Sequence, residues 1–214
     1  MSTGVHAGVF IGEGSSDAPL AGIVESLFAD RGVALRLSAP DFDRLGKVGK
    51  DVASRVEAAI KLMGGAEPDV VVVHRDADNA GIDARRNEIA DAIRCVGFSR
   101  AFVPVIPVRM TEAWLLLDEQ AIRHVAGNPR GRVHLGLPKK HEAETLADPK
   151  SFLRDCLLKA ADVRGRRRET LTKRFPQHRR QLLDRLDRNG DVAKLNGWIA
   201  LLASVNEAVT RLSG

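Results

Sequence analysis

The segment DVVVVHRDADNAG, residues 69–81, carries an apolar run into two aspartates, Asp76 and Asp78, one residue apart. A second acidic loop, GEGSSD at 12–17, follows the apolar GVFIG and holds Glu13 and Asp17. Residues i and i+2 of an extended segment project to the same side, about 7 Å apart, so Asp76 and Asp78 are expected to face a common point. Glu13 would approach them from the adjacent loop. Carboxylates about 4 Å apart repel by roughly 4 kcal/mol at an effective dielectric near 20, so such a cluster must take up a proton or recruit a cation. Oxygen donors without His or Cys suit Mg²⁺ or Mn²⁺, and Mg²⁺ keeps waters and favours phosphate as an additional ligand. The competing expectation is that Asp76 and Asp78 only cap the following helix in a turn-like DADNAG. Capping does not account for acidic residues converging from two separate strands.

The elements that must position these residues alternate. GVFIG (8–12), ALRLSA (34–39), DVVVVH (69–74) and AFVPVIPV (101–108) read as strands. Pro104 and Pro107 put the last of them at a sheet edge. Between them, 17–32, 46–65 and 83–97 have helical spacing, each ending in Gly. This βαβ rhythm predicts an α/β, Rossmann-like, mostly parallel four-stranded sheet flanked by helices, with the two acidic loops sharing one edge if strands 1 and 3 are neighbours. From TEAWLLLDEQAIRHVAG (111–127) onward the strand signals stop, and 148–162, 174–187 and 191–212 are helical. The last of these places Val192, Leu195, Ile199, Leu202, Val209 and Leu212 on one stripe, expected to be core. The expected division is an α/β domain over 1–126 and a basic helical C-terminal extension over 127–214, joined through the Gly/Pro-rich loop at 127–142.

Charge divides the same way. Residues 1–118 carry 13 Lys/Arg against 17 Asp/Glu, a net of −4, and residues 119–214 carry 20 against 11, a net of +9. The densest basic stretch, RGRRRETLTKRFPQHRR (164–180), holds Arg164, Arg166, Arg167, Arg168, Lys173, Arg174, Arg179 and Arg180 against Glu169 alone. Such a stretch would contact phosphates without reading sequence, which favours nucleic acid, DNA or RNA, as partner; a solvated face or an acidic protein partner are the alternatives. Cys95 and Cys156 have neither CxxC spacing nor a His cluster, so no disulfide framework or zinc site is indicated. No apolar run approaches the roughly 20 residues that cross a bilayer, and no charged-then-apolar leader pattern opens the chain. The expected location is the cytoplasm, with no membrane partner.

Other motif matches fail on spacing. HRD at 74–76 has Gly81 where a kinase catalytic loop needs Asn, and DADNAG has Ala80 and Asn87 at the fifth and twelfth positions of a would-be EF-hand loop. GEGSSD ends in Asp17 rather than the Gly of a dinucleotide fingerprint.

The opening GEGSSDAPL, with a DxD closing the third βα unit, resembles the Toprim domain of topoisomerases, primases and the overcoming-lysogenization-defect nucleases, the last in particular. PVRMTEAWLLLDEQAI followed by DPKSFL is similar to small stand-alone bacterial Toprim-like proteins of uncharacterised function. The likeness spans residues 9–153. It implies a Mg²⁺- or Mn²⁺-dependent phosphodiester hydrolase, a nuclease possible in defence against mobile elements, with Glu13, Asp76 and Asp78 as catalytic residues. It implies the same three as metal ligands together with Asp17. Glu112, after the fourth strand, is either a further ligand or an anionic first-turn residue of a helix. The chain has no Tyr, which excludes a tyrosyl intermediate on it. Two further readings stay open: a non-catalytic nucleic-acid-binding or regulatory subunit that needs a partner, an ATPase among them, and a Mg²⁺-dependent phosphohydrolase of small phosphates. A homo-oligomer is compatible with each.

Overall fold

The computed structural model describes residues 4–42, 44, 48–64 and 66–213. Four strands, β1 (His6–Ile11), β2 (Leu35–Ser38), β3 (Val70–His74) and β4 (Ala101–Val105), form one sheet in the order β2-β1-β3-β4, and every neighbouring pair is parallel. The α/β reading with a parallel four-stranded sheet is thus correct, and strands 1 and 3 are neighbours. β4 lies at the edge, where Pro104 needs no ladder partner on its outer side. β3 is central, and its run Val70 to Val73 is at most 1% exposed, as a strand covered on both faces requires.

Helices cover the sheet. α1 (Pro19–Ala29) follows β1, α2 (Val52–Leu62) follows β2 and α3 (Ile82–Cys95) follows β3. Val9, Ile11, Val71 and Val73 point to the face where α2 and α3 contribute Val52, Val56, Ala59, Ile89 and Ile93 to one cluster. Each such side chain contributes about 1.5–3 kcal/mol of burial, so this cluster is a principal source of the sheet's stability. β1 can lie this close to its neighbours because Gly8 has no side chain. A Cβ there would sit 2.6 Å from the Val70 carbonyl oxygen and 2.8 Å from Leu37 Cδ2. The helix expected over 46–65 is shorter than its pattern: it begins after Asp51, whose carboxylate accepts from the Ser54 N–H, and residues 46, 47 and 65 lie outside the described set.

The remaining helices are α4 (Glu112–Leu115), α5 (Glu119–Val125), α6 (Lys140–Ala143), α7 (Pro149–Ala161), α8 (Arg166–Lys173), α9 (Phe175–Leu183) and α10 (Asn196–Ser213). Residues 111–127, where the strand signals stop, form two helices, because Asp118 turns extended and caps α5 through the Ala121 N–H. Compact units divide at 106/107 rather than at 126/127. Residues 1–106 with 199–214 form the first and 107–198 the second. In the second, Trp114 of α4 meets Trp198 of α10 edge-on, ring centroids 5.1 Å apart.

The stripe expected on the last helix is corrected. Val192 and Leu195 are buried, but they precede α10 in a 3₁₀ turn and an extended residue, so their phase does not continue into it. α10 buries Trp198, Leu201, Val205 and Ala208 instead, and Ile199 is 52% exposed.

Candidate functional site

The order β2-β1-β3-β4 sends the chain from β1 outward on one side and from β3 outward on the other. The crevice beyond the carboxyl ends of β1 and β3 is therefore the topological switch point of the sheet, where open α/β folds bind ligands. Register pairs Ile11 with Val73, so the loop holding Glu13 and the loop holding Asp76 leave the sheet side by side.

Asp17 organises the first loop. Residues 15–17 form a 3₁₀ turn, and the buried carboxylate of Asp17 accepts from the backbone N–H groups of Glu13 (3.1 Å) and Gly14 (3.0 Å). A Cβ on residue 12 would lie 3.1 Å from the Asp17 Cβ, so Gly12 leaves the space that Asp17 fills. Asp17, expected as a metal ligand, has its Oδ2 engaged by the loop and by His74.

His74, the last residue of β3, lies between the two acidic loops. Its Nδ1 is 3.4 Å from Asp17 Oδ2 and its Nε2 is 3.4 Å from Asp76 Oδ1. The ring is 1% exposed. Burial opposes its charge, but hydrogen bonding and Coulombic attraction to Asp17 and Asp76 outweigh that and raise its pKa to about 9. At neutral pH an imidazolium therefore sits between two of the carboxylates. A histidine ending an apolar strand beside a DxD was the available signal.

Arginines complete the surround. Arg75 reaches Glu13 (3.4 Å) and Glu88 of α3 (3.3 Å). Ideal strand alternation would have turned it away, but β3 ends at His74 and the alternation ends with it. Arg85 pairs with Glu88 at 2.7 Å and donates through Nε to the Asp76 carbonyl (3.2 Å). Arg55 of α2 donates to the carbonyls of Gly12 (2.8 Å) and Glu13 (3.2 Å). Glu13 keeps a side chain 36% exposed, and its proton affinity is raised, first by burial and then by the charge of Asp76, against the pull of His74 and Arg75.

Asp78 does not stand beside Asp76 as residues i and i+2 of a strand would. It follows the strand in a turn, with φ at +46° in the left-handed region that Asp tolerates, and it is exposed. Its charge is felt by Arg85. Glu112, in the second unit, is 3% exposed and accepts from Arg179 Nε at 2.9 Å. Glu112 is the anionic first-turn residue of α4, as the second of its two expected roles had it, and is committed to a buried ion pair; the pair also withdraws Arg179 from the basic surface. Arg164, Arg166, Arg167, Arg168, Lys173, Arg174 and Arg180 are exposed as expected.

Among the described residues no group of three or more His, Cys, Asp and Glu side chains is arranged to hold a metal ion. Glu13 and Asp76 sense each other's charge. The chain was compared with protein-family models, curated proteins and solved structures. None matches. Among the described residues no helix is long and apolar enough to cross a membrane.

Proposed function

We propose that the acidic edge is the active site of a Mg²⁺- or Mn²⁺-dependent hydrolase of nucleic-acid phosphodiesters, as the Toprim-like sequence motifs imply. The observation that carries this reading is the placement of Glu13 and Asp76 in the loops that leave β1 and β3 side by side at the switch point, where the charge of Asp76 raises the proton affinity of Glu13. A divalent ion bound there would supply charge neutralisation at the phosphate and a more acidic water. Glu13, holding its proton more tightly than an ordinary carboxylate and still reached by solvent, suits proton transfer to or from the reacting oxygens. His74 fixes the orientation of Asp76 and, through Asp17, the loop that carries Glu13. Arg75 and Arg85 supply guanidinium forks suited to a phosphate beside the carboxylates. The exposed arginines of residues 164–180 would hold the polyanion.

Incubation of the protein with plasmid, single-stranded DNA and tRNA, with Mg²⁺, with Mn²⁺ and with chelator, tests this. Metal-dependent cleavage that drops at least about 100-fold in Asp76→Ala is expected. Cleavage unchanged in that variant, or none on any polymer, overturns it. A second reading, a nucleic-acid-binding subunit without its own catalysis, is favoured by the cations His74 and Arg75 already set against the carboxylates. Salt-sensitive binding with no cleavage would select it.

A further inference from the structure

The second unit contains a concave groove of about 680 Å³, within the range of small-molecule sites and far larger than a bare phosphate needs. Arg166, Arg167 and Arg174 line it, and among the described residues none of the three has a carboxylate within ion-pairing distance. Three guanidiniums without counter-charge around one concavity call for a multiply charged anion, and their forked donors match phosphate oxygens. The remaining wall is apolar: Val125, Val163 and Leu171 line the same groove. A hydrated inorganic ion gains nothing from that wall, whereas a flat, weakly polar ring system does.

His178 of α9 supplies a polar group within the groove. It is 8% exposed, and its Nδ1 has no hydrogen-bond partner among the described residues. A buried ring nitrogen left without a partner costs about 1–3 kcal/mol, which a ligand hydrogen bond would recover. Burial and the neighbouring Arg174 lower its pKa, so the ring is neutral at pH 7 and can exchange a hydrogen bond with a base edge or a sugar hydroxyl.

We propose that this groove binds a nucleoside monophosphate, its phosphate held by Arg166, Arg167 and Arg174 and its base against the apolar wall, taken either as a free nucleotide or as the phosphorylated end of a strand. Every residue of the groove belongs to the second unit, so the proposal stands apart from the chemistry assigned to Glu13 and Asp76.

Titration calorimetry of the full chain in chelator, with adenosine 5′-monophosphate, adenosine and inorganic phosphate as probes, tests it. The monophosphate is expected to bind at least about tenfold more tightly than either fragment, and Arg167→Ala or Arg174→Ala to weaken it about tenfold or more. Arg94→Ala, on the exposed face of α3 in the first unit, should bind the monophosphate as the wild type does. A 5′-phosphorylated tetranucleotide binding more tightly than the monophosphate assigns the strand end, and the reverse order assigns the free nucleotide. Equal affinity for the monophosphate and inorganic phosphate, or an unchanged affinity in Arg167→Ala and Arg174→Ala, overturns the proposal. Normal monophosphate binding by a protein that cleaves nothing would instead sink only the hydrolase reading.

Discussion

His74 changes the electrostatics of the acidic edge from a cluster of like charges to a buried cation bracketed by Asp17 and Asp76. Removing the cation strands two largely buried carboxylates, so His74→Gln is expected to cost about 3 kcal/mol in urea unfolding measured with chelator present. The pH dependence has a definite sign. The folded pKa of about 9 exceeds the unfolded value near 6.5, so the contribution of His74 is complete below about pH 6.5 and is lost as pH rises through about 9. The stability gap between wild type and His74→Gln should therefore be widest between about pH 5 and 6.5 and narrow toward pH 9. A gap that is constant over that interval would show that folding leaves the pKa of His74 unchanged, and one that widens as pH rises through about 6.5 would show that the ring is neutral in the folded protein. The carboxylates were legible in the sequence because acidic residues after apolar runs stand out. The histidine was not, because a single imidazole at a strand end has the composition of an ordinary core residue until its two neighbours are placed.

At the scale of elements, strand identity and the β4 edge followed from apolar runs and from Pro104, which act locally, whereas the neighbouring of strands 1 and 3 entered the sequence reading only as a condition. Errors arose where the chain changes direction within a continuous pattern. β3 stops at His74, so Asp76 and Asp78 lose the two-residue alternation, and the Leu195 junction resets the phase of α10. The first-turn position of Glu112 was legible, but its ion pair was not, since its partner lies 67 residues away on α9, a separation that no local pattern reports. That pair ties α4 to α9 with side chains only 5% and 7% exposed. Glu112→Ala and Arg179→Ala are each expected to cost about 3–5 kcal/mol, because each leaves a buried charge unmatched. The double variant should cost clearly less than the two losses combined, and equilibrium unfolding of the three variants measures the coupling. Strict additivity would show that the two side chains act independently.

Over the whole molecule, charge is segregated by unit: residues 107–198 carry 20 Lys/Arg against 12 Asp/Glu, and the first unit carries 13 against 16. This asymmetry was readable from composition, although its boundary was not, because the strand signals end at β4 and the all-helical sequence returns to the first unit only at residue 199. Arg164, Arg168 and Lys173 are exposed and stand outside the groove lining. Replacing all three with Ala should reduce the slope of log affinity for single-stranded DNA against log salt by about 2, as three released counterions require. An unchanged slope would place the polyanion elsewhere. The split course of the first unit bears on how it is made. Synthesis delivers the sheet early, yet Leu201, Val205 and Ala208 leave the ribosome only after all of residues 107–198. The nascent first unit must wait without these buried apolar residues, so a stall in translating the basic segment would strand an incomplete, aggregation-prone intermediate rather than a finished domain.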